Sequence, residues 1–411
     1  MGEFLILKSG AEARAILGGF DPVGTETIAL EHALDRVLAE DLVASEDLPP
    51  SPRATMDGYA LRARDLQGAS ESVPCYLKLV GTVAMGSVFP GRVAAGEAVG
   101  ISTGGVLPEG ADAVVMIEYV DRVRGDEIEV HRSVAAGDNV IRSGEDVARG
   151  EIVLASGKRL RPQDVGALAA FGRTEVRVFR RPIVAVLSTG NEIVAPELVP
   201  DPGQVRDINQ YALASQVRRA GGDPLLGGIV ADDADLLRAR VSTLLDSSDM
   251  VMLSGGSSVG VRDVAAQVLS LLGSPGVLFH GINVRPGKPT LCARIGQRPV
   301  LGMPGYPVSS MVIFDAFVRP LIWQLGGEAP GRDPWPGRRR ARLSRRHASA
   351  PGREDWVRVR LETRSDGLWA VPVLGGSASL STIVRADGLV MVEAGSEGIG
   401  EGDEVEVLLY L

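Results

Sequence analysis

The chain has 411 residues, too many for one ordinary domain, with the apolar and charged fractions of a soluble globular protein. A net charge of −9 argues against broad electrostatic binding to nucleic acid or to an anionic membrane surface. Cys75 and Cys292 lie far apart with no metal-ligand spacing, which fits a reducing cytoplasm; so do the lack of a signal-peptide pattern and of an uninterrupted apolar stretch long enough to span a bilayer.

Residues 11–17 and 26–43 are expected as helices, the second because Ile28, Leu30, Ala33, Leu34, Val37 and Leu38 recur on one face. Pro49-Pro50-Ser51-Pro52 breaks the chain and marks a domain crossing. Residues 50–145 read as a β-rich insertion, with short β-like runs at 76–80, 93–99, 113–117 and 127–130. Two segments interrupt that pattern. Ala54-Thr55-Met56-Asp57-Gly58-Tyr59-Ala60 sets a carboxylate beside a glycine, and residues 101–112 carry Thr103 in a polar glycine-rich loop. Each also reads as a plain turn in which Asp or Thr bonds its own backbone. Arg142-Ser143-Gly144-Glu145-Asp146 is another glycine-carboxylate turn. A helix over 162–171 rejoins the N-terminal region, so 1–49 and 146–182 form one helical and extended domain around the insertion.

Residues 183–327 alternate strand and helix, the pattern of an α/β domain with a parallel sheet. Strands are expected at 183–187, 225–230 and 251–253. Asn209 is expected to cap a helix to Ala220, Asp232 to cap a helix over 234–245, and Asp263 to open an amphipathic one. A last apolar helix over 308–325 should kink at Pro320. Right-handed crossovers gather strand ends on one edge, so Thr189, Glu192, Asp232, Ser257, Ser258 and Pro304 can share a cleft. After a linker at 328–338, alternating runs at 356–361, 368–373 and 404–409 make residues 328–411 a small β domain. Arg338, Arg339, Arg340, Arg345 and Arg346 near its start read as a solvated strand face.

The central domain carries three glycine-rich turns. Ser254-Gly255-Gly256-Ser257-Ser258-Val259-Gly260 runs from a strand into a helix, a combination that offers backbone N–H groups to an anion. Arg285, Gly287 and Lys288 add two cations on a second turn, in a chain where lysine is rare. Gly302-Met303-Pro304-Gly305-Tyr306-Pro307 is the third, and Pro307 suits the first position of a helix. Together they suggest a phosphate-rich ligand. Asp57, Asp146, Glu192, Asp232 and Asp263 each adjoin a turn, a strand end or a helix start, where hard cations such as Mg²⁺ are held by one or two carboxylates plus substrate phosphates. Cleaving a phosphoric anhydride needs positioning and charge neutralisation more than covalent help. The plainer reading of Asp232 and Asp263 is helix capping. Gly256 to Gly260 also matches G-x-S-x-G, with Ser258 as a hydrolase nucleophile. His280 follows too closely to leave room for the acid, however, and His347 lies in the separate β domain. A Rossmann unit is disfavoured because no G-x-G-x-x-G follows the strand at Ile183.

ATMDGYA, STGGVLPEGADAVV, RSGEDV, LSTGNEIV, RDINQY, Asp232-Asp233, LSGGSSVGVRD, RPGKPT and GMPGYPVSS, in this order, resemble the MoeA-type molybdopterin molybdenumtransferases, a family that includes the E domain of gephyrin. The resemblance covers essentially the whole chain. It implies four domains: the helical and extended one, the β-rich insertion, a molybdopterin-binding α/β domain and a C-terminal β-barrel. It implies an elongated homodimer whose active site combines the α/β domain of one subunit with the inserted domain of the other. The implied reaction places molybdate metal on the dithiolene of adenylylated molybdopterin, with Mg²⁺ and release of AMP. The functional positions it implies are Asp57, Thr103, Asp146, Glu192, Asp232, Asp263, Pro304 and Pro307, with Glu192, Asp232 and Asp263 as the metal set. Ser188, Thr189, Gly190, Ser254, Gly255, Gly256, Ser257, Ser258, Gly260, Arg285, Gly287, Lys288, Gly305 and Tyr306 join them as the binding set.

Three positions depart from the family pattern: Gly281 and Arg285, where many members have lysine, and Tyr306, where many have asparagine. Arginine keeps the charge but offers a planar fork instead of a point charge, which leaves molybdate-versus-tungstate selectivity open. The alternatives are a non-catalytic molybdopterin-binding scaffold and the upstream molybdopterin adenylyltransferase, itself an expected partner, whose fold resembles the α/β domain alone.

Overall fold

A computed structural model describes residues 7–255 and 259–410, the side chains of 259–263 excepted. The chain forms two compact units. One comprises Asp41–Ala155 and Pro162–Thr174, the other Met1–Glu40, Ser156–Arg161 and Glu175–Leu411.

The first unit is built on a six-stranded sheet in the order Ala113–Met116, Gly58–Leu61, Glu97–Ile101, Cys75–Thr82, Glu127–Val130, Val120–Arg122. Successive side chains of a strand face opposite sides, and here each side is packed. Tyr59, Leu61, Leu77, Ile128 and Val130 fill one core, while Ala60, Val99, Ile101 and Val114 fill the other. The ATMDGYA segment is therefore only half a turn, because Gly58–Leu61 is a buried strand paired on both sides in the sheet. Its glycine is a packing requirement. A Cβ on Gly58 would stand 1.9 Å from the Val115 carbonyl oxygen. The helix Pro162–Ala170 belongs to this unit.

In the second unit Gly10–Leu17 is a helix with a full capping box between Ser9 and Glu12. The helix expected over 26–43 does not form. Thr25–Ala29 is a strand paired antiparallel with Glu175–Phe179, followed by a 3₁₀ turn at Leu30–His32. Thr25, Thr27 and Ile28 are β-branched and favour the strand. Val37 and Leu38 are buried through bridges to Arg159 and Val178. The helical spacing was thus produced by a strand and two bridges, whose partners lie over a hundred residues downstream in sequence.

The central sheet has six strands in the order Asp223–Val230, Ile183–Thr189, Met250–Gly255, Arg298–Met303, Leu291–Ile295, Pro275–His280. The first four are parallel and the last two antiparallel, so the sheet is mixed at one side. Thr189, Val230, Gly255 and Met303 end the parallel strands on one edge. The last helical segment runs Pro307–Ile313, then a π turn at Phe314–Val318, then Arg319–Leu325. Proline lacks an N–H and its ring crowds the carbonyl four residues earlier. The wider π turn takes up that defect ahead of Pro320. Pro307–Leu325 is long and apolar enough to cross a bilayer, but 78% of its apolar window is buried in protein. Phe314 and Phe317, each about 1.5–3 kcal/mol of burial, anchor it in the core.

Glu354–Arg364, Gly367–Pro372, Arg338–Leu343, Glu404–Leu409 and Gly388–Val392 pair in sequence, and the last pairs back to the first, which closes a β-barrel. The arginine run is the solvated face expected: Arg338 and Arg340 meet Glu406 and Glu404 on the neighbouring strand. One strand of this sheet, Val284–Arg285, comes from the basic turn and pairs parallel with Glu354–Asp355.

Candidate functional site

The strand ends of the central sheet open onto a cavity of about 550 Å³. That is within the usual range of about 300–1,000 Å³ for small-molecule sites. All three glycine turns reach it. Thr189, Asp232, Gly255, Arg285, Gly287, Lys288, Pro304, Gly305 and Tyr306 line it. Ser188, Gly190, Glu192, Ser254 and Pro307 do not.

The first turn starts where Met250–Gly255 ends. Gly255 has φ +148°, and a Cβ there would lie 1.9 Å from the Thr189 carbonyl oxygen. Only glycine lets the two strand ends lie this close. Gly256, Ser257 and Ser258 lie outside the described residues. The following helix begins at Val259, so Gly260 and Asp263 fall inside it and Asp263 does not open it. The Asp263 side chain lies outside the described part of the structure.

The basic turn is held from two sides. Thr290 Oγ1 donates to the Gly287 carbonyl at 2.7 Å, and the Ile282 N–H donates to the Lys288 carbonyl at 2.9 Å. Gly287, at φ +116°, sits so close that a Cβ would lie 2.3 Å from Ile313 side-chain carbons. Gly281, the departing position, has φ +114°, and a Cβ there would lie 2.7 Å from Leu7 Cδ2. A side chain at 281 would therefore have to displace Leu7. The Lys8 N–H donates to the Gly281 carbonyl at 3.0 Å and fixes that contact.

Two cap assignments change. Asp233, not Asp232, caps the helix Ala234–Ser247, accepting from the N–H groups of Asp235 and Leu236, both at 2.9 Å. Asp232 is left facing the cavity, with its buried Oδ1 unpartnered among the described residues. Likewise Asn209 does not cap Asn209–Ala220. Asp207 Oδ1 accepts from the Gln210 N–H at 3.1 Å instead. Asn209 Nδ2 donates to Ser254 Oγ at 2.7 Å and to the Gly305 carbonyl at 2.8 Å, tying the first turn to the third. The sequence held the clue: Asp207 and Asn209 are two cap-type residues at a single helix start.

Arg353 and Ser377 of the cavity escaped the sequence reading, and His280, weighed there only as a hydrolase histidine, lines it too. Arg353 forms a fork with buried Asp355, Nε to Oδ1 at 2.7 Å and Nη2 to Oδ2 at 3.1 Å. Arg285 Nη1 stands 3.9 Å from the same carboxylate, directly across the strand pair. The Glu192 carboxylate is folded over Gly190, its Oε2 2.6 Å from where a Cβ would stand.

The other unit holds Asp57, Thr103 and Asp146. Thr103 donates its N–H and its hydroxyl to Asp57 Oδ1, and these bonds, the backbone one foremost, hold the exposed carboxyl below its usual range. Asp146 is exposed, and its N–H donates to the Leu48 carbonyl at 3.1 Å.

No group of three or more His, Cys, Asp or Glu side chains forms a metal cage among the described residues. Asp232, whose Oδ1 has no partner among the described residues, fits a hard cation that takes its remaining ligands from phosphate and water.

Residues 8–172 match the family model for the MoeA N-terminal region (domain I and II), and 340–410 that for the MoeA C-terminal region (domain IV). Residues 185–324 match the one described as "Probable molybdopterin binding domain". Proteins named molybdopterin molybdenumtransferase are similar over nearly the whole chain. The one from Nostoc sp. is 34% identical, with 93% of this chain and 88% of the relative covered. The one from Bacillus subtilis is 32% identical, with 94% and 90% covered. The chain belongs to the MoeA family of molybdopterin molybdenumtransferases. This is a transferase family of molybdenum cofactor biosynthesis. A solved MoeA structure from Pyrococcus horikoshii superposes with a TM-score of 0.83 at 38% identity, covering 98% of this chain and 99% of that one. A second from the same organism gives 0.80 at 33%, covering 98% and 100%. The MoeA fold accounts for the closed barrel and the flanked central sheet. It also assigns the G-x-S-x-G loop to a molybdopterin binding domain instead of a hydrolase elbow.

Proposed function

We propose that this chain inserts molybdate into adenylylated molybdopterin and releases AMP in a Mg²⁺-dependent step, as a cytoplasmic homodimer. The observation that carries the reading is the cavity itself. It joins one carboxylate freed from capping, Asp232, to Arg285 and Lys288 on a glycine turn and to Arg353 from the edge of the barrel. A phosphoric anhydride site needs that pairing of a hard-cation ligand with positive charge for the leaving phosphate. In this reading Asp232 holds the divalent cation, while Thr189 and Gly255 bring backbone close to the phosphates. Arg285, Lys288 and Arg353 bind the oxyanion. Asn209 keeps the first and third turns in register. Asp57, Thr103, Asp146, Glu192, Asp263, Pro304 and Pro307 complete the proposed set.

Purified protein is incubated with adenylylated molybdopterin, Mg²⁺ and either molybdate or tungstate, and both AMP release and metal on the pterin are measured. Oxyanion-dependent AMP release with metal on the pterin supports the proposal, and the better oxyanion names the metal. Tight adenylate binding without turnover replaces it with a non-catalytic scaffold. AMP release without oxyanion dependence also contradicts it. A monomeric mass by light scattering removes the homodimer.

A further inference from the structure

Tyr306 occupies the N-cap of the helix Pro307–Ile313, at φ −74° and ψ 130°, and its side chain makes no capping bond. Asparagine, serine or aspartate would accept there from N–H groups of the first turn, but a tyrosine hydroxyl lies too far out on its ring to do so. The helix start is satisfied by other means. Pro307 has no N–H to pair. The Val308 N–H donates at 3.3 Å to the carbonyl of Ser377, in the loop after the barrel strand Gly367–Pro372. The Ser310 N–H donates to the Tyr306 carbonyl at 3.0 Å, and Asn209 Nδ2 holds the carbonyl of the preceding Gly305 at 2.8 Å. Tyr306 thus gives the helix little through its side chain, while its backbone is held firmly.

The ring faces the cavity. Tyr306 is 50% exposed, and it is the one Phe, Tyr or Trp among the described residues that line the cavity. The ring stacks and cation–π contacts among the described residues all lie elsewhere. An aromatic ring left half in water at the wall of a cavity offers a flat apolar face without a partner. Asp232, Arg285, Lys288 and Arg353 line the same cavity and suit the charged parts of a ligand. A phosphate-bearing ligand that also carries a planar heterocycle needs a surface for that ring, and base–aromatic stacking supplies one.

We propose that Tyr306 is a specificity-determining residue of this site and that its ring stacks on a planar heterocycle of the bound ligand. The pterin and the adenine of adenylylated molybdopterin share that chemistry. This role rests on the reading that the adenylate is the substrate, and it adds a contact to the ring to those on the phosphates. Where many family members have an asparagine able to cap the helix, this chain has exchanged the cap for a stacking face.

The test is calorimetry on the full chain with three probes: AMP, metal-free molybdopterin and pyrophosphate, which has no ring. Tyr306→Phe keeps the ring and should bind all three as the parent does. Tyr306→Leu and Tyr306→Asn should bind AMP or molybdopterin on the order of tenfold more weakly, with pyrophosphate unaffected, and the weakened probe names the stacked ring. Tyr306→Asn regains a cap and should unfold at higher urea than the parent, so weaker binding by that variant is no folding defect. Unchanged binding of both ring probes by Tyr306→Leu overturns the stacking role and leaves the proposed function standing. So does a loss that extends equally to pyrophosphate, or one that Tyr306→Phe shares. A parent chain that binds neither AMP nor molybdopterin overturns the proposed function as well.

Discussion

Thr103 gives both its backbone N–H and its hydroxyl to one oxygen of Asp57, at 2.7 and 2.9 Å. Two motifs that read as separate turns are therefore one hydrogen-bonded element, and the carboxylate is kept ionised by its loop. The backbone bond is the larger cause. Thr103→Val should thus raise the Asp57 titration midpoint only part of the way to the ordinary value. A carboxyl lowered in the fold contributes stability above the unfolded carboxylate range and loses it as pH falls through the lowered midpoint. The variant should move that loss to higher pH. Carbon-detected NMR titration reads the midpoint, and an unmoved value contradicts the assignment.

Asp232 and Asp233 are neighbours with opposite predicted phenotypes. Asp233→Ala removes a cap accepting two N–H groups and should cost about 1 kcal/mol in urea unfolding, with turnover nearly intact. Asp232→Ala removes no cap and should leave the urea midpoint alone. It should lower AMP release by on the order of 100-fold, the upper range for disturbed metal sites. Equal effects on stability and rate in both variants would sink the distinction.

Asn209→Ala should loosen two turns at once. It deletes the donor shared by Ser254 Oγ and the Gly305 carbonyl, leaving buried acceptors unpaired at a cost of about 1–3 kcal/mol. Because the turns and not a reacting group are disturbed, KM for the adenylate should rise more than kcat falls. Steady-state kinetics on the folded variant separates the two. A fall in kcat alone contradicts a positioning role.

Asp315 is buried within the π turn, where burial pushes its carboxyl up while Arg319 and Gln216 pull it down. Arg319→Met leaves that carboxylate without its cation. It should destabilise the protein by about 3–5 kcal/mol, as breaking buried pairs does. The double variant Asp315→Leu with Arg319→Met should recover much of that loss. Urea titrations of both variants test it, and an undisturbed Arg319→Met midpoint contradicts it.

What the sequence made legible follows physical lines. Glycine turns could be found because glycine is required there: Gly255 and Gly287 have no room for a Cβ. The buried strands at Ile183–Thr189 and Met250–Gly255 announced themselves as apolar runs. The helix misread over 26–43 failed because its residues are organised by Glu175–Phe179, a partner that local spacing cannot reveal. The caps at Asp232 and Asn209 were misassigned by one and two residues, and at Asp232 that separates a carboxylate bonded to helix N–H groups from one whose Oδ1 has no partner among the described residues. Arg353 and Ser377 could not be found at all, since the barrel reaches the cavity only through folding.

That reach follows from the two-residue strand Val284–Arg285, which is shared between the basic turn and the barrel. A chain cut before Arg338 would retain every strand of the central sheet and still lose the seat of Arg285. The barrel is thus a foundation and not an appendage. Grafting a relative's barrel onto this chain would also re-aim the cation at the mouth of the cavity, so the two regions are constrained to change together.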